Sequence, residues 1–132
     1  MEKRGCFIVL EGPDFTGKST QAQLLVQYLR AKGYDVCHLR EPGSTALGEK
    51  IRGLLLGAKE TKINPRSELF LYMACRAQLV EEKLKPALEE DLIVVCERYF
   101  YSSMAYQGVA SGLDIETIEM ISMFAIDSIL PD

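Results

Sequence analysis

Residues 12–19 read Gly-Pro-Asp-Phe-Thr-Gly-Lys-Ser, the pattern Gly-x-x-x-x-Gly-Lys-Ser, and this stretch decides the fold. The apolar run Cys6 to Leu10 leads into it, and a helix-favouring segment follows it. Two glycines let the backbone turn and approach an anion closely, so that successive N–H groups and the positive end of the next helix face phosphate oxygens. Lys18 adds a positive charge, and Ser19 adds a hydroxyl that can ligate Mg²⁺. The pattern therefore predicts a phosphate-binding loop.

An ordinary glycine-rich turn between a strand and a helix is the alternative interpretation of this stretch. The first turn of a helix prefers acidic or capping residues, because its N–H groups carry partial positive charge. Lys18 stands against that preference, so a simple turn leaves it unexplained.

The composition is that of one ordinary domain, with 132 residues of which 48% are hydrophobic. The net charge is −4 and no long block of Lys or Arg occurs, so we expect neither a nucleic-acid partner nor a polybasic membrane contact. The N-terminal apolar run is too short for a signal peptide, and no run approaches membrane-spanning length. We therefore expect a soluble cytoplasmic protein whose positive charge is local and directed at small anions.

The four cysteines, Cys6, Cys37, Cys75 and Cys96, lie far apart and form no Cys-x-x-Cys pair. Three of them fall inside apolar runs typical of strands. The spacing predicts buried free thiols in a reducing cytosol rather than metal ligands.

The hydrophobic pattern predicts an alternation of strands and helices, which is typical of a parallel sheet. We expect strands at about 6–11, 34–40 and 92–96, and helices at 21–32, 45–56, from about 66 with a restart at Pro86, and at 115–129 before Pro131. Gly33 should end the first helix, whose apolar stripe is Leu24, Leu25, Tyr28 and Leu29. The connection 57–65 should carry little order.

Two further patterns concern burial. The uninterrupted run Leu92 to Cys96 is typical of a strand buried on both faces. The helix that follows a cap at Asn64 or Ser67 carries one apolar face, formed by Leu69, Met73, Val80 and Leu84.

Polar side chains follow three predicted strands, namely Glu11 with the phosphate loop, Arg40-Glu41, and Glu97-Arg98. Ligands of open α/β sheets bind beyond the carboxyl ends of the strands, so these ends should converge on one crevice. Arg40 and Arg98 are then candidates to bind a second phosphate, because guanidinium groups match phosphate oxygens bidentately. The alternative is that both are ordinary surface arginines.

Tyr72 and Arg76 lie one helical turn apart on a face that is otherwise apolar. An unpaired buried charge is very costly, so Arg76 needs a partner. Either a carboxylate of the protein or the carbonyl edge of a bound base would serve.

Taken together, these motifs resemble those of the thymidylate kinases, which use ATP and Mg²⁺ to convert dTMP to dTDP on the route to dTTP. The matching stretches follow the order of that family through the whole chain: Glu11-Gly12-Pro13-Asp14 with Gly17-Lys18-Ser19-Thr20, Arg40-Glu41-Pro42-Gly43, Leu47-Gly48-Glu49-Lys50-Ile51-Arg52, Glu68-Leu69-Phe70-Leu71-Tyr72, Arg76-Ala77-Gln78, Arg98-Tyr99 with Ser102-Ser103, and Ala105-Tyr106-Gln107-Gly108. The resemblance implies a three-layer α/β P-loop kinase fold, with a parallel sheet flanked by helices.

The resemblance also implies roles for individual residues. The ATP phosphates would be bound by the loop, namely Gly12, Pro13, Asp14, Phe15, Thr16, Gly17, Lys18, Ser19 and Thr20. Ser19 and Glu97 would hold Mg²⁺, and the catalytic group would be Asp14, Lys18, Arg40 and Arg98. The dTMP site would contain Arg40 and Arg98 on the phosphate, Tyr72 stacked on thymine, Arg76 on its carbonyl edge, Ser103 and Gln107 around the base, and Tyr106 against the sugar.

The sequence departs from the family at four places. Glu97 stands where Asp is usual, Tyr72 where Phe is common, Ser44 where a second Gly follows Pro42, and residues 109–112 replace a Gly-Arg-Gly. The largest departure is in length, because the chain resembles about the N-terminal two-thirds of a family member. We therefore expect residues 1–132 to form a single nucleotide kinase domain with an incomplete sheet. It would lack the lid, whose arginine serves the transferred phosphoryl group, so turnover by this chain alone should be impaired. The resemblance also implies a homodimer that pairs through helices.

Three other functions fit parts of the pattern. Glu97-Arg98 also resembles the Glu-Arg of deoxyribonucleoside kinases, in which the carboxylate is a base toward a sugar hydroxyl, although Arg40 and Tyr106-Gln107 favour a monophosphate acceptor. A signalling GTPase lacks support because no Asn-Lys-x-Asp motif occurs. A P-loop module that binds nucleotide without turnover has the same loop sequence.

Overall fold

The computed structural model describes residues 5–57 and 62–132, and its centre is a sheet of three parallel strands. The strands are β1 (Cys6–Leu10), β2 (Val36–Arg40) and β3 (Ile93–Glu97), in the order β1-β3-β2. Leu10 and Arg40 both lie opposite Glu97, so the three carboxyl ends are level. Side chains on both faces of β3 are buried, which confirms the prediction from its apolar run.

Helices connect the strands and continue beyond them. Their bounds are α1 Lys18–Ala31, α2 Ala46–Gly57, α3 Pro65–Leu79, α4 Lys85–Glu89, α5 Phe100–Ser103 and α6 Ile115–Ala125. A π-helical turn, Val80–Leu84, joins α3 to α4, and a second π-helical segment, Met104–Ala110, continues α5. Within the described ranges, no helix is long and apolar enough to cross a membrane.

The helices form a layer on each face of the sheet. On one face, Ala22 and Val26 of α1 pack against Val95. On the other face, Leu79, Val80 and Leu84 pack with Phe7, Leu39, Val94 and Cys96. Leu69 and Met73 of α3 pack in turn against α6. This arrangement is the predicted three-layer α/β fold with an incomplete sheet.

The predicted apolar stripe of α1 is wrong for two of its four residues. Leu24 and Tyr28 are 52% and 60% exposed, and the fully buried positions are Ala22 and Val26. The small side chain of Ala22 and the short one of Val26 let the helix lie close to β3, which turns the larger residues outward. The Lys32 ammonium group lies over the exposed Tyr28 ring, 5.5 Å from its centroid.

The predicted helix boundaries agree with the structure to within about one residue, except at the start of α1, which is Lys18 and not Gln21, and at the end of α6. The helical stretch from Phe100 to Ala110 was not predicted. Gly33 has φ 90° just after α1, Asn64 caps α3, and the helix restarts at Pro86, as predicted. However, α6 ends at Ala125 and not at Ile129, because Asp127 and Ser128 adopt left-handed conformations with φ 48° and 57°. Residues 58–61 of the predicted polar connection lie outside the described residues.

The prediction of buried cysteines is half right. Cys75 and Cys96 are buried, and burial raises the pKa of both thiols. Cys6 is exposed and Cys37 is half-buried, because β1 and β2 are the outer strands of the described sheet.

Candidate active site

The phosphate loop ends at the N-terminus of α1 without a side-chain cap. Gly17, the residue before the helix, has φ 86°, and Phe15 within the loop has φ 63°. The Lys18 ammonium group lies across the loop and donates to the carbonyl oxygen of Gly12 at 3.3 Å. The first N–H groups of α1 therefore have no side-chain acceptor at Gly17, which is the arrangement that binds phosphate.

Ser19 and Glu97, the predicted metal ligands, are brought together from positions 78 residues apart. The Ser19 hydroxyl donates to Glu97 Oε1 at 2.6 Å, and Glu97 Oε2 lies 2.8 Å from His38 Nε2. Hydroxyl and carboxylate oxygens are ligands that Mg²⁺ prefers. Two such donors suit Mg²⁺, which keeps several waters and binds proteins through one or two side chains together with phosphates.

Beside the phosphate loop lies a cleft of about 280 Å³, which we call the acceptor cleft. The predicted substrate residues that line it are Tyr72, Arg76, Arg98, Ser103, Tyr106 and Gln107, and Asp14 of the phosphate loop lines it as well. Other residues with a polar side chain also line it, and the sequence had assigned them no role: Glu41, Arg52, Glu68 and Ser102. The cleft therefore collects side chains from α2, α3, α5 and the second π-helical segment at one edge of the sheet.

Arg40 does not line the acceptor cleft in this structure, and its role on the acceptor phosphate stays a prediction. Its guanidinium group lies 3.3 Å from the Glu49 carboxylate at the surface, and both side chains are about half exposed. Neighbouring side chains of an extended segment point to opposite sides. Because Glu41 enters the cleft, the side chain of Arg40 points away from it. Arg52 of α2 lies in the cleft instead and donates to the Pro42 carbonyl oxygen at 2.9 Å.

Arg98 links the acceptor cleft to the phosphate loop. Its guanidinium group donates to Asp14 Oδ1 at 2.7 Å and lies 5.4 Å from the centre of the Tyr106 ring. The backbone of Arg98 has φ 70°, a left-handed conformation that costs on the order of 1–3 kcal/mol in a residue with a side chain. The strained residue is therefore the one that joins the two halves of the site.

Glu11 fixes the segment that follows β3. Its carboxylate accepts hydrogen bonds from the backbone N–H of Tyr99 at 2.7 Å and from the Ser102 hydroxyl at 2.5 Å. Because Glu11 is the last residue before the phosphate loop, these bonds hold that loop and α5 at a fixed separation.

Arg76 forms the buried wall of the acceptor cleft and is 1% exposed. Its Nε donates to Glu41 Oε2 at 2.7 Å, and its other donors reach Ser103 Oγ at 2.9 Å, the Tyr99 carbonyl oxygen at 3.1 Å and the sulfur of Met73 at 3.8 Å. Of the two predicted partners, the structure contains the carboxylate. One of the five guanidinium N–H groups remains for a ligand.

Glu41 is as deeply buried as its partner. Its second oxygen, Oε1, has no hydrogen-bond partner among the described residues. Burial raises the pKa of Glu41 to about 7, and the attraction of Arg76 offsets this effect only in part.

We expect the raised pKa of Glu41 to make the protein less stable as the pH rises from about 4.5 to about 7. In this range the unfolded chain has lost the proton and the folded chain retains it, so each increase in pH favours unfolding. The loss should approach about 3 kcal/mol. Urea denaturation across this pH range measures it, and the neutral variant Glu41→Gln should remove this part of the pH dependence. Equal slopes for the two proteins would contradict the assignment.

Glu68 fixes the orientation of Gln107 at the far side of the cleft. The Gln107 amide nitrogen donates to Glu68 Oε1 at 3.2 Å, and a carboxylate can only accept, so the amide orientation is chemically determined. Gln107 is 3% exposed, and its carbonyl oxygen has no donor among the described residues. The cleft therefore contains a held hydrogen-bond acceptor.

The chain is similar to known thymidylate kinases along nearly its whole length. A sequence model of the thymidylate kinase family matches residues 10–132. The thymidylate kinases of Thermosipho africanus and Finegoldia magna are 52% and 50% identical over 126 residues, which are 96% of this chain and 62% of each relative. The crystal structure of the Ehrlichia chaffeensis thymidylate kinase superimposes with a TM-score of 0.89 at 38% identity, over 97% of this chain and 73% of that chain.

The family-model match covers the phosphate loop, the acceptor cleft and strands β2 and β3. The chain spans about three-fifths of the length of the curated relatives it matches. With the phosphate loop, the Ser19 and Glu97 pair and the acceptor cleft in one arrangement, the chain belongs to the thymidylate kinase family.

Proposed function

We propose that the protein transfers the γ-phosphoryl group of ATP to dTMP, with Mg²⁺, and so forms dTDP for dTTP synthesis in the cytoplasm. The observation that carries the proposal is the pair of arginines, Arg52 and Arg98, in a cleft that also contains an aromatic ring and a held amide. Guanidinium groups bind phosphate bidentately, and a ring such as Tyr72 offers a stacking surface to a base. A nucleoside monophosphate presents these two ends.

The reaction moves one phosphoryl group between the two halves of the site. An oxygen of the dTMP phosphate attacks the γ-phosphorus, the bond to the bridging β-phosphate oxygen breaks, and ADP leaves with the electron pair. Lys18 and the loop N–H groups would stabilise charge on the β- and γ-phosphates, and Arg98, held by Asp14, would orient the acceptor. Ser19 and Glu97 would hold Mg²⁺, which neutralises phosphate charge when bound.

A deoxyribonucleoside kinase, the second candidate, is less well supported by the position of Glu97. Both oxygens of its carboxylate are engaged, by Ser19 and by His38, and Glu97 does not line the acceptor cleft. A general base must reach the hydroxyl that it deprotonates. Two arginines in the cleft would also face no charge on an unphosphorylated nucleoside.

A coupled assay of ADP release tests the proposal. It compares dTMP, thymidine and no acceptor, using the 132-residue chain and a chimera extended with the corresponding C-terminal part of the Thermosipho africanus relative. Of the three conditions, we expect ADP release only when dTMP is the acceptor, and we expect faster turnover by the chimera than by the 132-residue chain. If thymidine is the better acceptor, the result favours a deoxyribonucleoside kinase. If both proteins bind nucleotide and neither releases ADP, the result favours a module that binds nucleotide without turnover.

We also propose that two copies of the protein pair through helices. Large apolar side chains on α2 and α3 are exposed, with Leu54 at 54% and Phe70 at 61%. Burial of such side chains would stabilise a dimer.

Base selection should depend on Glu68. The carbonyl oxygen of Gln107 suits the N3–H of thymine, whereas N3 of cytosine is an acceptor and would meet another acceptor. In Glu68→Gln the amide of Gln107 is free to turn and offer its NH₂ group. We expect the preference for dTMP over dCMP in kcat/KM to fall at least about tenfold. A polar side chain rejects a base with the wrong hydrogen-bonding group strongly only when that side chain cannot turn.

The control for this prediction is Glu82→Gln. Glu82 accepts a hydrogen bond from the Gln78 amide at 2.8 Å on the exposed side of the same helical unit, so the chemical change is the same and the cleft is untouched. An unchanged dTMP to dCMP ratio in Glu68→Gln would show that Glu68 does not set the orientation.

A further inference from the structure

His38 is a half-buried residue of β2 that takes no part in the acceptor cleft. It lies opposite Val95 of β3, two residues before Glu97, on the sheet face covered by α1. Its Nε2 atom lies 2.8 Å from Glu97 Oε2. The sequence gives no local sign of this contact, because the two residues are 59 positions apart.

The Glu97 carboxylate needs such a contact to keep one position. Glu97 is 9% exposed, and burying a carboxyl group is costly unless hydrogen bonds from the protein replace those from water. A glutamate side chain has three rotatable bonds, and fixing it costs up to about 2 kcal/mol of conformational free energy. Ser19 holds one carboxylate oxygen and His38 the other, and two contacts at opposite oxygens fix the plane of the group as well as its distance.

The position of Glu97 in turn sets the orientation of the Ser19 hydroxyl. A hydroxyl has one proton, and in this structure that proton is directed at Glu97 Oε1 at 2.6 Å. The lone pairs of Ser19 Oγ are therefore free to point elsewhere, and Ser19 stands in the first turn of α1 next to the phosphate loop. The contacts form a chain from His38 through Glu97 to Ser19.

We propose that His38 is a positioning residue for the cation end of the phosphate loop, where it holds the Glu97 carboxylate so that Ser19 presents its oxygen to a divalent cation bound with nucleotide. This inference rests on the proposed function, because it assigns the nucleotide and its cation to the phosphate loop. It goes beyond that function because it makes metal-dependent nucleotide binding depend on His38 of β2, a residue outside the phosphate loop and the acceptor cleft.

The test measures metal dependence without turnover. Isothermal titration calorimetry gives the affinity of the 132-residue chain for a non-hydrolysable ATP analogue, once with Mg²⁺ and once with EDTA. In His38→Phe, which keeps ring bulk and removes the nitrogen, we expect the gain in affinity from Mg²⁺ to fall about tenfold, because groups that orient metal ligands are worth about 10–100-fold in metal affinity. The affinity in EDTA should stay unchanged.

His38→Gln is the matched control, since its amide N–H can still donate to Glu97, and it should keep the Mg²⁺ gain within about threefold of the wild type. If His38→Phe leaves the gain unchanged, the inference is overturned. It is also overturned if the affinity falls equally with Mg²⁺ and with EDTA, because His38 would then support the fold only. If the wild-type chain binds no nucleotide at all, in contrast, the proposed function itself is refuted.

Discussion

Alanine at position 18 is expected to lower kcat for dTMP phosphorylation by about a hundredfold or more. The Lys18 ammonium group already lies across the phosphate loop, 3.3 Å from the Gly12 carbonyl oxygen, so it needs little rearrangement to meet a phosphate. A charge that is positioned before the reaction acts fully on the charge that develops in the transition state. Losing it should therefore slow the chemical step more than it weakens nucleotide binding.

The measurement is steady-state kinetics of the chimera with ATP and dTMP. Lys32→Ala, at the other end of α1, is the matched control, because Lys32 is exposed and lies over the Tyr28 ring. This control should keep kcat within about twofold of the parent protein, as expected for a surface substitution. A near-normal kcat in Lys18→Ala would refute the role of Lys18, whatever happens to the KM for ATP.

At pH 8, where the wild-type Glu41 is ionised, breaking the Glu41 and Arg76 pair is expected to cost about 3–5 kcal/mol of unfolding free energy in either single variant, Glu41→Leu or Arg76→Leu. Each change leaves the other group buried without its partner, at 1% or 4% exposure. The double variant should lose less than the sum of the two singles, because it leaves no buried charge at this place.

The two single variants should differ in their dependence on pH. Arg76 cannot lose its charge, so the cost of Glu41→Leu should not be relieved at any pH. Glu41 has a pKa already raised to about 7 by burial, and without Arg76 it can stay neutral by keeping its proton. The unfolding free energy of Arg76→Leu should therefore fall more steeply with rising pH than that of the wild type.

Urea denaturation at pH 5 and pH 8 measures both effects. Arg40 and Glu49 provide a matched surface pair, 3.3 Å apart with side chains 50% and 46% exposed. Glu49→Leu should cost far less than either buried variant, because exposed ion pairs contribute little. Additive losses in the Glu41 and Arg76 double variant would show that the two residues contribute independently.

The sequence predicted the features that depend on short stretches of chain. The phosphate loop was recognisable because eight consecutive residues specify it, and Tyr72 and Arg76 share a face because they stand one turn apart. The central position of β3 followed from its continuous apolar run. The three-layer fold then followed from the alternation of strands and helices.

The features that were missed or wrong depend on how distant segments meet. The buried face of α1 was misjudged because close packing on β3 favoured Ala22 over the larger Leu24. The pattern also does not show which of the neighbouring Arg40 and Glu41 side chains enters the cleft, and in this structure it is Glu41. The contacts of His38 with Glu97 and of Glu68 with Gln107 join residues 59 and 39 positions apart, and no periodicity reports such pairs.

The π-helical segment Met104–Ala110 affects which side chains reach the acceptor cleft. It carries Tyr106 and Gln107 into the acceptor cleft, and its turns are wider than those of an α-helix. Removing one residue between Ser103 and Gln107 should close this segment toward an α-helix, which turns about 100° per residue, and should rotate Gln107 away from the acceptor cleft. Under the proposed function, the length of this segment would therefore help to set nucleotide preference.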